Sequence, residues 1–387
     1  MGKDVLTFGI IILLSGIGMT KAQEYKSLHR ELKVVDGHND VIVNSILKGK
    51  DISNRLDVNH TDIPRLKEGG VDVQVFAVWS DDKKWKTGAF QHANDQIDAL
   101  EKVLAKNPER IQLAKNSAEI DQITKQGKIA AVIGIEGGNM IESSIANLEV
   151  LYNRGARYLT LTWNYDLPWV TSAAIESKTK SNEGKGLSAL GKDIIRKMNA
   201  LGMMVDLSHA GEKTFYDVME TTTKPVLVSH SNAYHLTPHF RNLKDAQLVA
   251  LKKNGGVVGV NFYSGFLDKN YEKRVKKLYR KQFGNKGDYT LSASSQYEEL
   301  TKEYKHEADV PMSHLLDHID YLVKKIGIDH VAIGSDYDGI ESAPQGLEDV
   351  SKLPNLTKSL LNRGYKKEDI AKIMGLNFLR ILKENEN

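Results

Sequence analysis

Short apolar, β-branched runs alternate along most of the chain with longer stretches whose apolar residues recur every three or four positions. The runs are Val34-Val35, Val71 to Val78, Ile129 to Ile135, Arg157 to Trp163, Met203 to Leu207, Pro225 to Ser229, Gly256 to Phe262 and His330 to Gly334. Each reads as a buried strand, whereas Asn94 to Ala105 and Leu187 to Leu201 have the spacing of amphipathic helices. Strands separated by helix-length segments imply βαβ crossovers and a parallel sheet. Eight such units predict an α/β fold of the TIM type, a (β/α)8 barrel with peripheral helices.

A barrel of this kind carries its chemistry at the C-terminal ends of the strands. Strand one ends in Asp36-Gly37-His38-Asn39-Asp40, and in extended backbone residues i and i+2 point the same way, so His38 and Asp40 can reach one metal ion. Strand three ends in Glu136-Gly137-Gly138, strand five in Asp206-Leu207-Ser208-His209 and strand six in Ser229-His230. Strand eight runs into Gly334-Ser335-Asp336-Tyr337-Asp338-Gly339. Five separate strand ends thus deliver a side chain able to bind metal.

One region departs from the alternation. Between strand seven and the helix near His314 lies a polar, basic stretch that includes Lys273-Arg274-Val275-Lys276-Lys277. A long βα loop here could serve as a lid or binding arm, but a solvated helical insertion after strand seven is the expectation. The closing segment, with Leu360, Leu361, Ile370, Ile373 and Met374 at helical spacing, is expected to pack on the barrel exterior.

Composition narrows the chemistry. The formal charge is +3 over 387 residues, with no basic stripe interleaved with aromatics, so nucleic acid is not an expected partner. There is no cysteine, which removes disulfides, thiolate metal sites and a cysteine nucleophile and leaves His and carboxylates as the metal donors. Lys3, an apolar run from Val5 to about Met19, and Thr20-Lys21-Ala22 have the layout of a secretory signal peptide. The run is broken by Gly16 and Gly18 and is shorter than the ~20 residues that span a bilayer, so a leader over 1–22 is expected rather than a membrane anchor. Residues 23–387 are expected to form a single domain, exported to the periplasm or the extracellular space.

A single zinc needs three or four ligands, and His38, Asp40, Glu136, His209 and His230 offer more. Two ions sharing Glu136 as a bridging carboxylate use all five. Such donors suit Zn²⁺, with Mn²⁺ or Co²⁺ as substitutes, and two metals about 3.5–4 Å apart can generate a hydroxide near neutral pH and polarise the oxygen it attacks. That is a hydrolase site. Asp336 is better used for moving protons than as a further ligand, or for pairing with a cationic group on the substrate. The remaining histidines, His29, His60, His92, His235, His239, His306, His314, His318 and His330, are assigned structural or surface positions.

Taken together and in this order, Asp36 to Asp40, Ile135-Glu136-Gly137, Asp206 to His209, Ser229-His230-Ser231-Asn232-Ala233, Gly334 to Gly339 and Gly346-Leu347-Glu348-Asp349-Val350 resemble the membrane (renal-type) dipeptidases, a branch of the amidohydrolase-like metallopeptidases. The resemblance runs from about residue 33 to the C-terminal helix. It implies that His38 and Asp40 bind one zinc, His209 and His230 the other, and that Glu136 bridges them. It further implies that Asp336 is the acid/base residue that also meets the substrate amino group, that Arg241 binds the substrate carboxylate, and that Tyr263 lies nearby. One departure is Trp163, which stands where mammalian members carry a histidine near the scissile carbonyl, with Asn164 or Tyr165 as candidates for the polar contact. The family's membrane tether and disulfide-linked dimer are not expected to carry over: no stable anchor is expected, and any homodimer would form without disulfides.

The resulting expectation is an exported zinc-dependent dipeptidase acting through a metal-bridging hydroxide. Its rivals are a binuclear zinc hydrolase of lactones, β-lactams or other amides, and a non-catalytic metal- or peptide-binding barrel, for which Trp163 is the strongest argument.

Overall fold

The computed structural model describes residues 21–179 and 185–387. The expected leader therefore lies outside the described residues except for Lys21 and Ala22, which open a helix over Lys21–Glu31. No helix among the described residues is long and apolar enough to cross a membrane.

Nine parallel strands form the sheet: β1 (Val34–Asp36), β2 (Val71–Trp79), β3 (Ile111–Leu113), β4 (Ile129–Glu136), β5 (Ala156–Thr160), β6 (Met204–Asp206), β7 (Leu227–Ser231), β8 (Val257–Val260) and β9 (Val331–Ile333). Eight of them follow one another in the order β1-β2-β4-β5-β6-β7-β8-β9. The two ends of this path meet just beyond the last strand: Gly37 N–H donates to the Ile333 carbonyl (3.1 Å), Asp336 N–H to that of His38 (3.1 Å) and Asp40 N–H to that of Tyr337 (2.9 Å). The result is the expected TIM-type barrel, and the eight predicted strands match its eight staves to within a few residues. The extra strand, β3, pairs with the start of β4 on the edge that β5 takes over further along. At three residues it is too short to show a period in the sequence.

Alternation along the strands separates two cores. Val73 and Val75 of β2 and Ala130 and Val132 of β4 point into the barrel with Val35, Met204, Leu227, Val257 and Ala332. Phe76 and Val78, or Ile133 and Ile135, face the surrounding helices, where most of the apolar packing lies. One such helix shows how local sequence sets an element: Ser188 caps Ala189–Leu201 by accepting from Gly191 N–H, apolar Ile194, Ile195 and Met198 are buried, and Gly202 ends it in the left-handed region.

The closing segment packs outside the barrel at Leu360, Ile370, Ile373 and Met374. The last helix, Asn377–Asn385, does something the sequence reading missed: Phe378, Ile381 and Leu382 join the interior cluster and plug the end of the barrel opposite the strand C-termini. The insertion follows β8, the seventh stave. It is helical, with segments Ser264–Leu267, Tyr271–Phe283, Ala293–Glu298 and Lys302–Ala308 around a small core of Tyr271, Val275, Leu278, Tyr279 and Tyr297. Lys273, Lys276 and Lys277 sit on its exposed face.

Truncating the plug tests this division. Phe378→Ala should cost about 3–5 kcal/mol, the usual range for an aromatic removed from a close-packed core, and so lower the midpoint of urea unfolding. An unchanged midpoint would mean that the barrel floor does not depend on the last helix.

Candidate metal centre and substrate pocket

The residues of β4 that face inward are those of even number, and this parity carries Glu136 onto the barrel axis at the end of the strand. Two residues earlier stands Gly134, where a Cβ would overlap the Tyr158 ring. The absent side chain lets Tyr158 of β5 lie across the barrel and place its hydroxyl 2.8 Å from His38 Nδ1. His38 and Asp40 follow β1 on a loop pinned through Asn39, whose carbonyl accepts from Ala77 N–H (2.8 Å) and whose side chain bonds Thr61 and the Val41 N–H. Asn39 thus faces away while its two neighbours face the axis.

The five predicted ligands converge. Glu136 Oε2 lies 3.2 Å from His38 Nε2, which is itself 3.6 Å from Asp40 Oδ2. Glu136 Oε1 lies 3.1 Å from His209 Nε2 and 3.5 Å from His230 Nε2. One carboxylate oxygen therefore faces each pair. Asp336 Oδ1 stands 4.0 Å from His38 Nε2, close enough to form a second cluster with His38 and Asp40, while its Oδ2 accepts from Asn261 Nδ2 at 2.8 Å. At Gly339 a Cβ would collide with the carboxylates of Asp40 and Asp336, so any larger residue would displace them.

Hydrogen bonds fix the tautomer of each imidazole. Ser229 Oγ donates to Asp206 Oδ2 (2.6 Å), which leaves it to accept from His230 Nδ1–H (2.8 Å). Asp206 is held in turn by the Ser208 and Ser229 amides and by Thr160. Asn164 Oδ1 accepts from His209 Nδ1–H at 3.2 Å. Tyr158 donates to the Gly37 carbonyl (3.4 Å) and accepts from His38 Nδ1–H. In all three rings Nδ1 is held as a donor, which aims Nε2 at the axis.

This donor set fits divalent metal. The Nε2 atoms of His209 and His230 are 3.1 Å apart, two facing lone pairs that repel unless a cation joins them. His38 Nε2 is buried and has no hydrogen-bond partner. Burial holds both His209, at about 3, and His230 well below the ordinary imidazole range, with the nearby Arg241 adding to it, so both are neutral at pH 7. For Glu136 burial pushes the other way, but His38 and His209 outweigh it and keep the carboxyl ionised. His38 shows the converse: burial would strip its proton, yet Tyr158, Glu136 and Asp40 draw positive charge to this point. His209 and Asp336 also adopt left-handed backbone, with φ of 62° and 64°, local strain of a kind that collects at functional sites.

A cavity of about 360 Å³ opens onto these residues. Trp163 forms its aromatic wall, edge-on to Trp79 with ring centroids 5.0 Å apart. Of the two candidates for the polar contact, Asn164 lines the cavity but spends its carbonyl on His209, and Tyr165 lines a neighbouring cleft with Lys83 and Trp85. Arg241 is 5% exposed; its Nη2 donates to the His230 carbonyl (3.2 Å), its Nε has no partner and it forms no ion pair among the described residues. Burial lowers its pKa only to about 10, so it remains a cation. Tyr263 also lines the cavity, its hydroxyl donating to Glu341 at 2.6 Å.

Sequence reasoning missed several parts of this pocket. Trp79, Phe266, Ser294 and Glu341 all line it, Ser294 coming from the insertion, which is therefore more than a solvated appendage. The roles of Tyr158, Asp206 and Ser229 in holding the imidazoles were also missed, although Ser229 next to His230 and Asp206 just before His209 were a readable signal; Tyr158, 120 residues from His38, was not. Of the histidines set aside, His60 exchanges two hydrogen bonds with Asp338 and so braces the Asp336 loop.

The model of the membrane dipeptidases, peptidase family M19, matches residues 22–387. An uncharacterized dipeptidase of Schizosaccharomyces pombe is 35% identical over 383 residues, covering 94% of this chain and 83% of the yeast protein. The chain belongs to the M19 membrane dipeptidases. As a member it is a metallopeptidase, a hydrolase of the dipeptidase class. The fold agrees: the probable dipeptidase PvdM from Pseudomonas aeruginosa superposes with a TM-score of 0.79 at 24% identity, covering 95% of this chain and 98% of that one. A metallopeptidase from Rhodobacter sphaeroides, solved with a phosphinate mimic of the dipeptide L-Ala-D-Ala, gives 0.74 at 25% identity, covering 92% of this chain and 99% of that one.

The Asp206–Ser229–His230 chain can be tested on this M19 member without turnover. Ser229→Ala should weaken metal retention about 10–100-fold, as loss of a partner that orients a ligand commonly does, when read by competition with a chromogenic chelator. Unaltered affinity would mean that His230 is oriented by packing alone.

Proposed function

We propose that the chain is an exported zinc-dependent dipeptidase that recognises both ends of its substrate. The observation that carries this reading is the pairing, in one small cavity, of a buried arginine lacking a carboxylate partner with an aspartate beside the metal ligands. Arg241 offers its guanidinium to the substrate's terminal carboxylate. Asp336 offers a carboxylate to the free amino group. A longer peptide would push its own carboxylate beyond Arg241.

His38 and Asp40 would hold one Zn²⁺ and His209 and His230 the other, with Glu136 shared; Mn²⁺ or Co²⁺ would suit the same donors. Such ions, when bound, acidify a water and polarise the carbonyl it attacks. Asp336 handles the proton. Burial and the adjacent Asp40 raise its carboxyl well above the usual range, and cations in the site would draw it back down, leaving a base able to take a proton and return it to the departing amine. Because Asn261 occupies Oδ2, Oδ1 is the atom that carries the proton. Tyr263 and Trp163 shape the walls around the substrate, with Trp163 supplying apolar surface and no polar contact.

Residues 1–22 are read as a leader and 23–387 as the exported barrel, supported by the layout of charge and apolar residues at the start of the chain.

A panel of L-L and L-D dipeptides, assayed on the mature protein before chelation, after it and after zinc is restored, should show activity that disappears and returns. Arg241→Ala should raise KM about 10–100-fold, the worth of a charge-assisted hydrogen bond, with a smaller change in kcat. Asp336→Asn should instead lower kcat by about 10²–10⁴ while metal content holds. Binding of two zinc ions without cleavage of any dipeptide would overturn the substrate reading.

A further inference from the structure

Four carboxylates line the cavity: Asp40, Glu136, Asp336 and Glu341. Asp40 and Glu136 belong to the proposed ligand set, Asp336 stands beside them, and Arg241 is matched to a terminal carboxylate. Glu341 is left over. Its hydrogen-bond donors are the hydroxyls of Tyr263 (2.6 Å) and Ser294 and its own backbone amide, all neutral, and it forms no ion pair among the described residues. The charged neighbour that acts on it most is Glu298, another acid. A carboxylate offers about four acceptor positions, so these three donors do not exhaust it, and a partly buried carboxylate served only by neutral donors lacks a counter-charge.

Its position is also fixed. Asp336 is bonded to Asn261, Asn261 accepts from Tyr263 N–H at 2.6 Å, and the Tyr263 hydroxyl closes the chain on Glu341. Ser264 N–H donates to the Ser342 carbonyl at 3.2 Å and ties the Glu341 backbone to the same segment. Glu341 therefore stands on the cavity wall on a braced loop, with Tyr263 packed edge-on to Phe266 (4.9 Å) and Phe266 under the Arg241 guanidinium (5.5 Å).

We propose that Glu341 selects dipeptides bearing a cationic side chain, lysine or arginine, by accepting a charge-assisted hydrogen bond from the ammonium or guanidinium group at this wall of the pocket. The proposal rests on the dipeptidase reading above and adds to it the class of side chain preferred. Ser294 and Tyr263 orient the carboxylate, and the aromatic surface of Phe266 accommodates the aliphatic stem of the incoming residue.

The test compares kcat/KM of the zinc-loaded enzyme for Lys-Ala and Ala-Lys against norleucine-Ala and Ala-norleucine, which keep the stem and remove the charge. At one of the two positions the lysine dipeptide should be favoured by about tenfold or more, the factor expected of a charge-assisted hydrogen bond. Glu341→Gln should bring that ratio close to one, and Glu341→Asp should keep it clearly above one. A wild-type ratio near one at both positions overturns the proposal while leaving the dipeptidase reading intact. So does a Glu341→Gln enzyme that loses the same factor on lysine and norleucine substrates, since Glu341 would then be meeting the α-amino group common to all dipeptides. If the wild type cleaves no dipeptide, both readings fall.

Discussion

The carboxylate of Glu136, buried on the axis of the barrel, sets the terms for everything around it. An ionised carboxyl with almost no access to water is tolerable only where positive charge and donors compensate it. Its two oxygens divide that demand: one turns to His38 and Asp40, the other to His209 and His230. Asp40 brings further negative charge and His209 and His230 are neutral, which leaves His38 as the one group of the five that favours a proton. The metal of a metallopeptidase adds positive charge at this point. The barrel can therefore be viewed as a device for holding one carboxylate where only metal makes it comfortable.

That device relies on a layer of polar side chains just below the ligands. Tyr158, Asn164 and Ser229 each accept a hydrogen bond from the Nδ1–H of one imidazole, so all three Nε2 atoms converge before any ion arrives. Preorganisation of this kind lowers the cost of assembling the site, because rotamers and tautomers are already chosen. It also explains two oddities of the backbone. Gly134 is bare so that Tyr158 can cross the barrel, and Gly339 is bare so that Asp40 and Asp336 can lie side by side.

Much of this was legible in the sequence, for a physical reason. A barrel strand places alternate residues on its axis and ends at the active face, so a metal-competent residue at the end of a buried run is informative even when its motif is short. His38, Asp40, Glu136, His209 and His230 were picked as candidate ligands in that way, and the structure brings all five side chains together. What periodicity could not show was which distant segment folds over the mouth. Ser294 sits in a helix whose apolar spacing reports only its own small core, and Glu341 sits in a loop with no period at all. Phe378 was similarly hidden, since a helix that plugs the barrel floor has the same amphipathic pattern as one that packs outside it.

Trp163 is where the resemblance to mammalian relatives and the structure of this chain pull apart, and the geometry favours a remodelled pocket over a dead one. A lost histidine would matter most if it left an orphaned polar group or an open hole. Neither is found at this position: Trp163 packs edge-on against Trp79, and Asn164 is engaged in orienting a ligand. The converging histidines and carboxylates, the hydrogen bonds that orient the rings and Arg241 are all in place beside it. An enzyme losing its function would have no need to keep a buried, unpaired arginine, because burying a cation without a partner destabilises the fold. Arg241 is retained in that condition on the wall of the cavity, its Nε still without a partner, which is best understood if the missing partner is a substrate carboxylate that comes and goes with each turnover.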